Sequence, residues 1–306
     1  MLVVVTAIWG TTFPLVKTLG ETLSSEAIVA ARFAIGSVIF VPWLRGMNRV
    51  RLVHGSMLGL MAFASYATQT IGMRSVGSGR AAFVTGLNVI MVPLALPVLG
   101  RQLSRIALAS AVLATTGIAL LSWDDGALRF RIGDLWVLAC AVAYAAYVLL
   151  LEQFARQHRV MDLTAVQVCT VGVSGIIWVL STDRTAAIDG LRQAKLGTWI
   201  TIVYLAIVAV ALTMLLQTKA QKVVAASVAV VVYSLEPVFG AAASYAWRNE
   251  RLAPVGFLGA SFVVAAMVLS QRRPQRELPA ESGAELGRDP SELSDRIGDD
   301  LGHRAN

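Results

Sequence analysis

The stretch from residue 223 to residue 247 reads VVAASVAVVVYSLEPVFGAAASYAW, and it decides the fold class of this sequence. Its 25 residues include one charged side chain, Glu236. An α-helix needs about 20 predominantly apolar residues to cross about 30 Å of hydrocarbon. We therefore predict that this stretch spans a lipid bilayer as a helix and holds Glu236 near the middle of the membrane.

Similar apolar runs, bounded by charged residues, occur along the whole chain. Of the 306 residues, 56% are hydrophobic and 15% are charged, and the mean hydropathy is +0.67. A typical soluble domain is about 45–50% apolar and about 25% charged, so the soluble, disordered and fibrous classes are excluded. The remaining predicted spans are Met1 to Leu19, Ala27 to Leu44, Leu52 to Met73, Ala81 to Leu99, Ile106 to Ser122, Gly133 to Leu151, Leu163 to Ser181, Leu196 to Leu216 and Pro254 to Ser270. The sequence thus predicts an all-α integral membrane protein with ten transmembrane helices.

The ten spans divide into two sets of five. Sliding the chain on itself by 149 residues overlays Ser75 to Leu121 on Val224 to Ser270 without a gap, with coinciding span boundaries. Halves with an odd number of spans lie in opposite orientations, which is a common transporter design. We therefore predict two inverted five-helix repeats, residues 1–122 and residues 133–271.

Loop charges and the carboxyl-terminal composition predict the topology. With the amino terminus inside, inner loops and flanks hold twelve Lys and Arg residues and outer loops hold nine. Short basic loops tend to stay cytoplasmic, so both termini are expected on the cytoplasmic side. Residues 272–306 are rich in Pro, Glu, Asp, Ser and Gly, and they are expected to form a disordered cytoplasmic tail.

The sequence does not point to a catalytic or metal site. Cys140 and Cys169 both lie in apolar runs, which argues against a disulfide framework or a thiolate metal cluster. Gly172-Val173-Ser174-Gly175 matches the pattern around the serine of rhomboid-like intramembrane proteases, but a nucleophilic serine needs a histidine base within reach. The three histidines lie near loops or in the tail. We expect no catalytic residue, metal or cofactor, and we interpret Ser174 and its glycines as small residues that let helices pack closely.

Several short motifs, in this order along the chain, indicate a family. They are Trp9-Gly10 with Lys17 two turns later, Arg32-Phe33, Leu235-Glu236-Pro237 and Glu250-Arg251-Leu252. In these residues the chain resembles the EamA-type transporters of the drug/metabolite transporter superfamily, essentially from Met1 to Gln271. The resemblance implies two inverted five-helix repeats. It also implies a central cavity lined by the first, third, fourth, sixth, eighth and ninth spans.

Polar and aromatic residues in those spans are the candidates for substrate binding or coupling, because polar groups within a membrane usually face a bundle interior or an aqueous cavity. The candidates are Trp9, Phe13, Lys17, Tyr66, Gln69, Thr85, Asn88, Tyr144, Tyr147, Tyr204 and Glu236. They would suit a small amphipathic solute.

Structural interpretations of some of these residues stay open. Trp9 and Phe13 could pack the bundle while Lys17 extends to the interface. Glu236 could be a neutral carboxyl hydrogen-bonded between helices, or a group whose charge changes when substrate or a proton binds.

Two further sets of intramembrane polar residues favour a structural interpretation. We expect Arg32 to extend to the outer interface or to pair with Glu26. The face formed by Gln167, Thr170 and Ser174 is expected to hydrogen-bond between helices.

The function predicted from the sequence is secondary transport of small organic solutes, either amino acid-like metabolites or drugs, in a bacterial inner membrane. The resemblance favours an exporter that works by alternating access, with protons as the candidate coupling ion. The alternatives are a membrane scaffold or accessory subunit that transports nothing and, less favoured, an intramembrane enzyme.

Overall fold

The computed structural model describes residues 1–76, 78–121, 131–248 and 254–271, and the regular elements within these ranges are all helical. The α-helices are α1 (Leu2–Leu19), α2 (Ser25–Phe40), α3 (Arg49–Gly72), α4 (Ser78–Gly86), α5 (Asn88–Ala95), α6 (Arg105–Leu121), α7 (Ile132–Gln157), α8 (Val160–Ser181), α9 (Arg184–Arg192), α10 (Leu196–Ala206), α11 (Thr213–Gln221), α12 (Ala226–Tyr233), α13 (Glu236–Arg248) and α14 (Pro254–Gln271). Short 3₁₀-helices occur at Val41–Leu44 and Pro97–Leu99, and a π-helix covers Ile207–Leu212.

Five helical segments in the described part of the chain are long and apolar enough to cross a membrane. They are Leu2–Leu19, Ser25–Leu44, Ile132–Gln157, Val160–Ser181 and Leu196–Gln221. Four shorter apolar helices cover Val84–Ala95, Arg105–Leu120, Ala226–Gly240 and Val255–Ser270. The prediction of an all-helical membrane protein is therefore confirmed for the residues described.

Three of the predicted runs are interrupted helices. The fourth run consists of α4 and α5, with Leu87 between them, and the ninth consists of α12 and α13, with a turn at Ser234 and Leu235. In the eighth run, α10 and α11 are joined by the π-helix Ile207–Leu212. The sequence also did not predict α9, a short helix whose first turn is capped by the side chain of Asp183.

Long helix pairs organise the bundle: α2 packs along α8, α3 along α7 and α8, α1 along α13, and α6 along α14. Glycines make these contacts close. A methyl group added at Gly55 would lie 2.5 Å from the Val166 side chain, and one at Gly172 would lie 3.2 Å from the Phe33 carbonyl. The prediction that these small residues allow close helix packing is confirmed.

The outside of the bundle is strongly apolar. Large side chains that a soluble protein would bury are exposed along several helices, among them Val38, Ile177, Leu180, Ile200 and Phe257. Because soluble monomers rarely present such continuous apolar surface, this surface fits a lipid environment.

Contacts between helix ends define two ends of the bundle. The start of α3 meets the junction of α7 and α8, where Arg51 pairs with Asp162 at 2.9 Å. The end of α3 meets the start of α7, since a Cβ at Gly72 would lie 2.8 Å from the Gly133 carbonyl oxygen. We name these the Glu152 end and the Lys17 end, after the charged residue that each contains. The predicted tail, residues 272–306, lies outside the described ranges, and so do residues 122–130 at the predicted boundary between the repeats.

Candidate functional site

A cavity of about 500 Å³, a volume that includes its open mouth, lies between the helices of the bundle. Its lining combines aromatic, hydroxyl, amide and charged groups: Trp9, Thr12, Arg32, Ser65, Tyr66, Gln69, Thr85, Tyr144, Ala209 and Glu236. These residues come from α1, α2, α3, α4, α7, the π-helix and α13. The six spans implied by the family resemblance all contribute, and the second span contributes as well.

Aromatic rings form one wall of the cavity. The Trp9 ring lies 6.0 Å from the Tyr144 ring, edge to face, and 5.5 Å from the Tyr233 ring. The indole Nε1 of Trp9 donates to Thr213 Oγ1 at 3.1 Å and to the Ala209 carbonyl at 3.3 Å. Because its N–H has partners and its ring is packed, Trp9 is a fixed apolar surface against which a solute could lie.

Glu236 enters the cavity from the first residue of α13. The helix break at Ser234 and Leu235 precedes it, and Pro237 follows it in the first turn, where a missing N–H costs no helical hydrogen bond. The positive end of a helix dipole favours a carboxylate at this position. Among the described residues, none forms an ion pair or a side-chain hydrogen bond with Glu236.

Arg32 departs from its predicted role. It lies in the middle of α2, only 4% of its surface is exposed, and it lines the cavity instead of reaching the interface. It forms no ion pair with Glu26 within the described ranges. Its Nε and Nη2 atoms are buried without a hydrogen-bond partner, while its guanidinium carbon lies 4.6 Å from the Tyr66 ring centre. The expectation of an interfacial or Glu26-paired arginine was therefore wrong.

Amide and hydroxyl side chains lie in the lining and next to it. Gln69 Nε2 lies 3.4 Å from Thr85 Oγ1, and Asn88 Nδ2 donates to the Thr85 carbonyl at 2.8 Å. Ser65 Oγ contacts the free thiol of Cys140 at 3.3 Å. These bonds hold α3, α4 and α7 together around the cavity.

A polar network separates the cavity from the Glu152 end. Tyr147 Oη donates to Gln167 Oε1 at 2.9 Å, and Gln167 Nε2 donates to Thr218 Oγ1 at 2.9 Å. Gln217 Nε2 donates to Tyr144 Oη at 3.0 Å, and Gln221 Nε2 donates to the Val148 carbonyl at 3.0 Å. The predicted role of Gln167 in bonding between helices is confirmed.

An ionic cluster lies beyond that network. Glu152, only 1% exposed, accepts two hydrogen bonds from Arg101, one from Arg156 and one from the backbone N–H of Ala226. The cluster therefore joins the loop before α6, the end of α7 and the start of α12.

At the opposite end, Lys17 Nζ donates to the carbonyls of Met73 and Val76 at 2.7 and 3.3 Å. A lysine placed there satisfies carbonyls that the end of α3 leaves without helical partners. A second hollow of about 510 Å³ surrounds it, lined by residues of α1, α2 and α3 and of the turns that follow α1 and α3, among them Glu21, Thr70 and Arg74.

The sequence candidates divide into two groups. Those that line the central cavity are Trp9, Tyr66, Gln69, Thr85, Tyr144 and Glu236. Those that lie outside its lining are Phe13, Lys17, Asn88, Tyr147 and Tyr204. Phe13 packs in an apolar cluster near the Lys17 end, and Tyr204 Oη bonds Thr11 Oγ1 at 2.8 Å.

Sequence reasoning did not select Thr12, Arg32, Ser65 or Ala209, which also line the cavity. For Arg32 a signal was present, because an ionisable residue within an apolar run indicates a functional position by default. The motif Glu250 to Leu252 lies outside the described residues.

Known proteins are similar to this chain in sequence or in fold. The sequence profile of the EamA-like transporter family matches residues 1–123 and 131–271. An uncharacterized transporter of Archaeoglobus fulgidus is 28% identical over 273 residues, which are 89% of this chain and 85% of the relative. A protein crystal structure with 19% sequence identity superimposes with a TM-score of 0.68 over 88% of this chain and 95% of that one, which is a likeness of fold alone. With profile matches to both halves, the chain belongs to the EamA-like transporter family, a membrane transporter family of the drug/metabolite transporter superfamily.

Proposed function

We propose that this chain is a secondary transporter of the bacterial inner membrane that exports a small organic solute, an amino acid-like metabolite or a drug, by alternating access. The observation that carries the proposal is the central cavity, where a packed aromatic wall faces two charged side chains at membrane depth. Such groups are costly in lipid, and a pathway for polar solutes is the usual reason for their presence.

Two interrupted helices support a design of ten crossings in two inverted five-helix repeats, residues 1–122 and 133–271. The breaks occur at Leu87 and at Ser234 and Leu235. On the 149-residue overlay these positions fall within two residues of each other. Interrupted helices at corresponding places in two halves are typical of the substrate site of a repeat transporter. Both breaks adjoin cavity residues, Thr85 and Glu236.

The contacts at the Glu152 end support alternating access. The network around Gln167 joins helices within the second proposed repeat, and the bond from Arg101 to Glu152 connects the two repeats. Together they close the bundle below the cavity. A transporter that alternates must open this layer in the other half of its cycle. In the proposed topology, with both termini cytoplasmic, the Glu152 end faces the cytoplasm.

Glu236 is the proposed coupling group. Its carboxyl is at cavity depth and forms no ion pair with the described residues, so a proton or a cationic group of the solute can neutralise it. Exchange between those two partners would couple solute movement to a proton gradient.

Transport by the reconstituted chain tests the proposal. Purified protein in proteoliposomes is assayed for movement of a panel of radiolabelled amino acids and cationic and neutral drugs, with and without an imposed pH gradient. Trp9→Ala, which removes the aromatic wall, is compared with Trp199→Ala, whose ring is on an exposed face of α10. We expect at least one solute to move, with loss of that movement in Trp9→Ala alone. A folded protein that moves no member of the panel would contradict transport and favour the scaffold alternative.

A further inference from the structure

The Arg32 guanidinium has buried donors that no protein group satisfies. Nε and Nη2 lie in the interior of the bundle without a hydrogen-bond partner, and the residue is only 4% exposed. An arginine is always charged in proteins, and burying an unpaired charge is strongly unfavourable. Because Arg32 lines the central cavity, the missing partner can come from a molecule bound there.

Two aromatic rings lie against the Arg32 guanidinium, while its Nε and Nη2 have no hydrogen-bond partner. The guanidinium carbon lies 4.6 Å from the ring centre of Tyr66 and 5.2 Å from that of Phe33. The two rings themselves pack at 4.9 Å. Stacking on aromatic faces holds an arginine without using its donors, and the planar fork then suits a two-oxygen acceptor.

The chain does not supply that acceptor within its described residues. Its buried carboxylate at the Glu152 end is already bonded to Arg101 and Arg156. Glu236 also lines the cavity, but it forms no ion pair with Arg32. The cavity thus presents an unpaired cation and an unpaired carboxyl group as two separate points of attachment.

We propose that Arg32 binds the carboxylate of the transported solute through its unpaired N–H donors. This inference rests on the proposed transport function and narrows its substrate class to small carboxylate-bearing molecules with an apolar or aromatic body. That body packs on Trp9 and Tyr144. In a solute that also carries an ammonium group, the second charge faces Glu236. Solutes that are only cationic are excluded from the Arg32 position by like-charge repulsion.

Matched ligand pairs test the inference on the purified full-length protein. The probes are 3-phenylpropionate against 3-phenylpropionamide, and L-phenylalanine against L-phenylalaninamide, with sodium chloride alone as the inorganic anion. Binding is followed by thermal shift and by tryptophan fluorescence. Because hydrogen bonds to charged groups are stronger than those between neutral groups, each carboxylate is expected to bind at least about tenfold more tightly than its amide.

Variants locate the effect. Arg32→Gln should abolish the preference for the carboxylate, and Arg32→Lys, which keeps the charge but lacks the fork, should retain only part of it. Arg184→Gln, an exposed arginine at the start of α9, is the control and should behave as wild type. If Arg32→Gln fails to elute as a monodisperse species, the comparison of acid and amide on the wild-type protein still decides the question.

The outcomes separate this inference from the transport proposal. Equal binding of acid and amide, including binding of neither, overturns the carboxylate site, as does an equal response to chloride alone. If proteoliposomes then move amides or amines independently of Arg32, transport stands and the carboxylate site is wrong. If carboxylates bind through Arg32 but no solute crosses the membrane, the binding site stands and transport is wrong.

Discussion

Arg101 donates two hydrogen bonds to the Glu152 carboxylate, from Nη1 to Oε2 at 3.1 Å and from Nη2 to Oε1 at 2.8 Å. The two residues are 51 positions apart, in the loop before α6 and near the end of α7. Glu152 Oε2 also accepts from the Ala226 N–H, at 2.9 Å. One carboxylate therefore ties together elements from both halves of the chain, at the end of the bundle that the central cavity does not reach.

Glu152→Gln should destabilise the protein. The substitution removes the negative charge between two arginines and leaves fewer acceptors for four donated hydrogen bonds. Breaking a buried ion pair costs about 3–5 kcal/mol, and partial exposure of the arginines places the expected loss near the lower figure. Unfolding of the wild-type and variant proteins in detergent measures this loss of stability. Asp189→Asn, in an exposed pair with Arg192, is the control and should change little. An unchanged unfolding midpoint for Glu152→Gln would show that the cluster contributes no stability.

Glu236→Gln should insert and fold normally but lose pH-dependent transport. Gln keeps the shape of the side chain and removes the titratable group from the cavity. Efflux measured across a pH series gives the comparison, with Glu26→Gln in the first turn of α2 as a control outside the cavity lining. Wild-type rates with the wild-type pH profile in Glu236→Gln would make Glu236 structural and would remove it as the coupling group.

The contact of His54 with His158 should make stability depend on pH. His54 Nδ1 and His158 Nε2 lie 2.8 Å apart, so one nitrogen must accept and carry no proton. Burial, then the charges of His54 and Arg51, lower the pKa of His158 below its usual 6.5, while Asp162 opposes them. A histidine with a lowered pKa in the folded state resists protonation, so its contribution to stability is complete above pH 6.5 and is lost as the pH falls below that value.

Unfolding midpoints between pH 5 and pH 8 would check this dependence. We expect the wild-type midpoint to fall on the acid side and His158→Gln to flatten that fall. His303→Gln, at the third histidine of the sequence, should leave the profile unchanged. A wild-type profile in His158→Gln would rule out the pair as its source.

Gly10→Ala should separate α1 from α13. A Cβ at this position would lie 2.7 Å from Phe239 Cβ and 2.8 Å from the Gly240 backbone nitrogen, so one helix must move. Overpacking of this kind costs about 1–3 kcal/mol. The movement would also displace Trp9 and Glu236, so transport should fall together with stability. Gly197→Ala is the matched control, since nothing lies within 4 Å and alanine is the better helix former. Equal stability of the two variants would contradict the close crossing.

Both termini should be cytoplasmic. Alkaline phosphatase fused after Arg273 is expected to be inactive, because it folds only in the periplasm, and a fluorescent protein fused at the same position should mature. Fusions after Arg129, on the predicted outer side, should give the reverse pattern. An active phosphatase at Arg273 would invert the topology and place the Glu152 end outside.

The sequence predicted helices well because the length of an apolar run is a strong signal. Each of the ten predicted runs corresponds to one helix or to consecutive helical segments. The positions at which helices are interrupted were harder to predict from the sequence. Pro237 lies beside the break in the ninth run, but the break in the fourth run at Leu87 has no glycine or proline of its own, although Gly86 precedes it.

Rotation of the helices about their axes could not be predicted. When most faces of a helix are apolar, periodicity does not say which face looks inward. Arg32 was therefore assigned to the interface or to Glu26 instead of the cavity. The bond from Trp9 to Thr213, across 204 residues, had no sequence signal. For Glu236 the inward direction could be predicted, because a carboxyl group in mid-membrane must face a protein interior or water.

The π-helix at Ile207–Leu212 acts as a phase shift in the eighth run. Its wider turns accommodate one residue more than an α-helix of equal length, and one residue corresponds to about 100° of rotation. Tyr204, before the shift, can thus bond Thr11, while Thr213 and Gln217, after it, meet Trp9 and Tyr144. The hydrogen bonds that join the aromatic wall to the eighth run therefore depend on the number of residues in this segment as much as on their identity. Deletion of one apolar residue there would barely change the composition of the segment. It would nevertheless rotate Thr213 and Gln217 away from Trp9 and Tyr144.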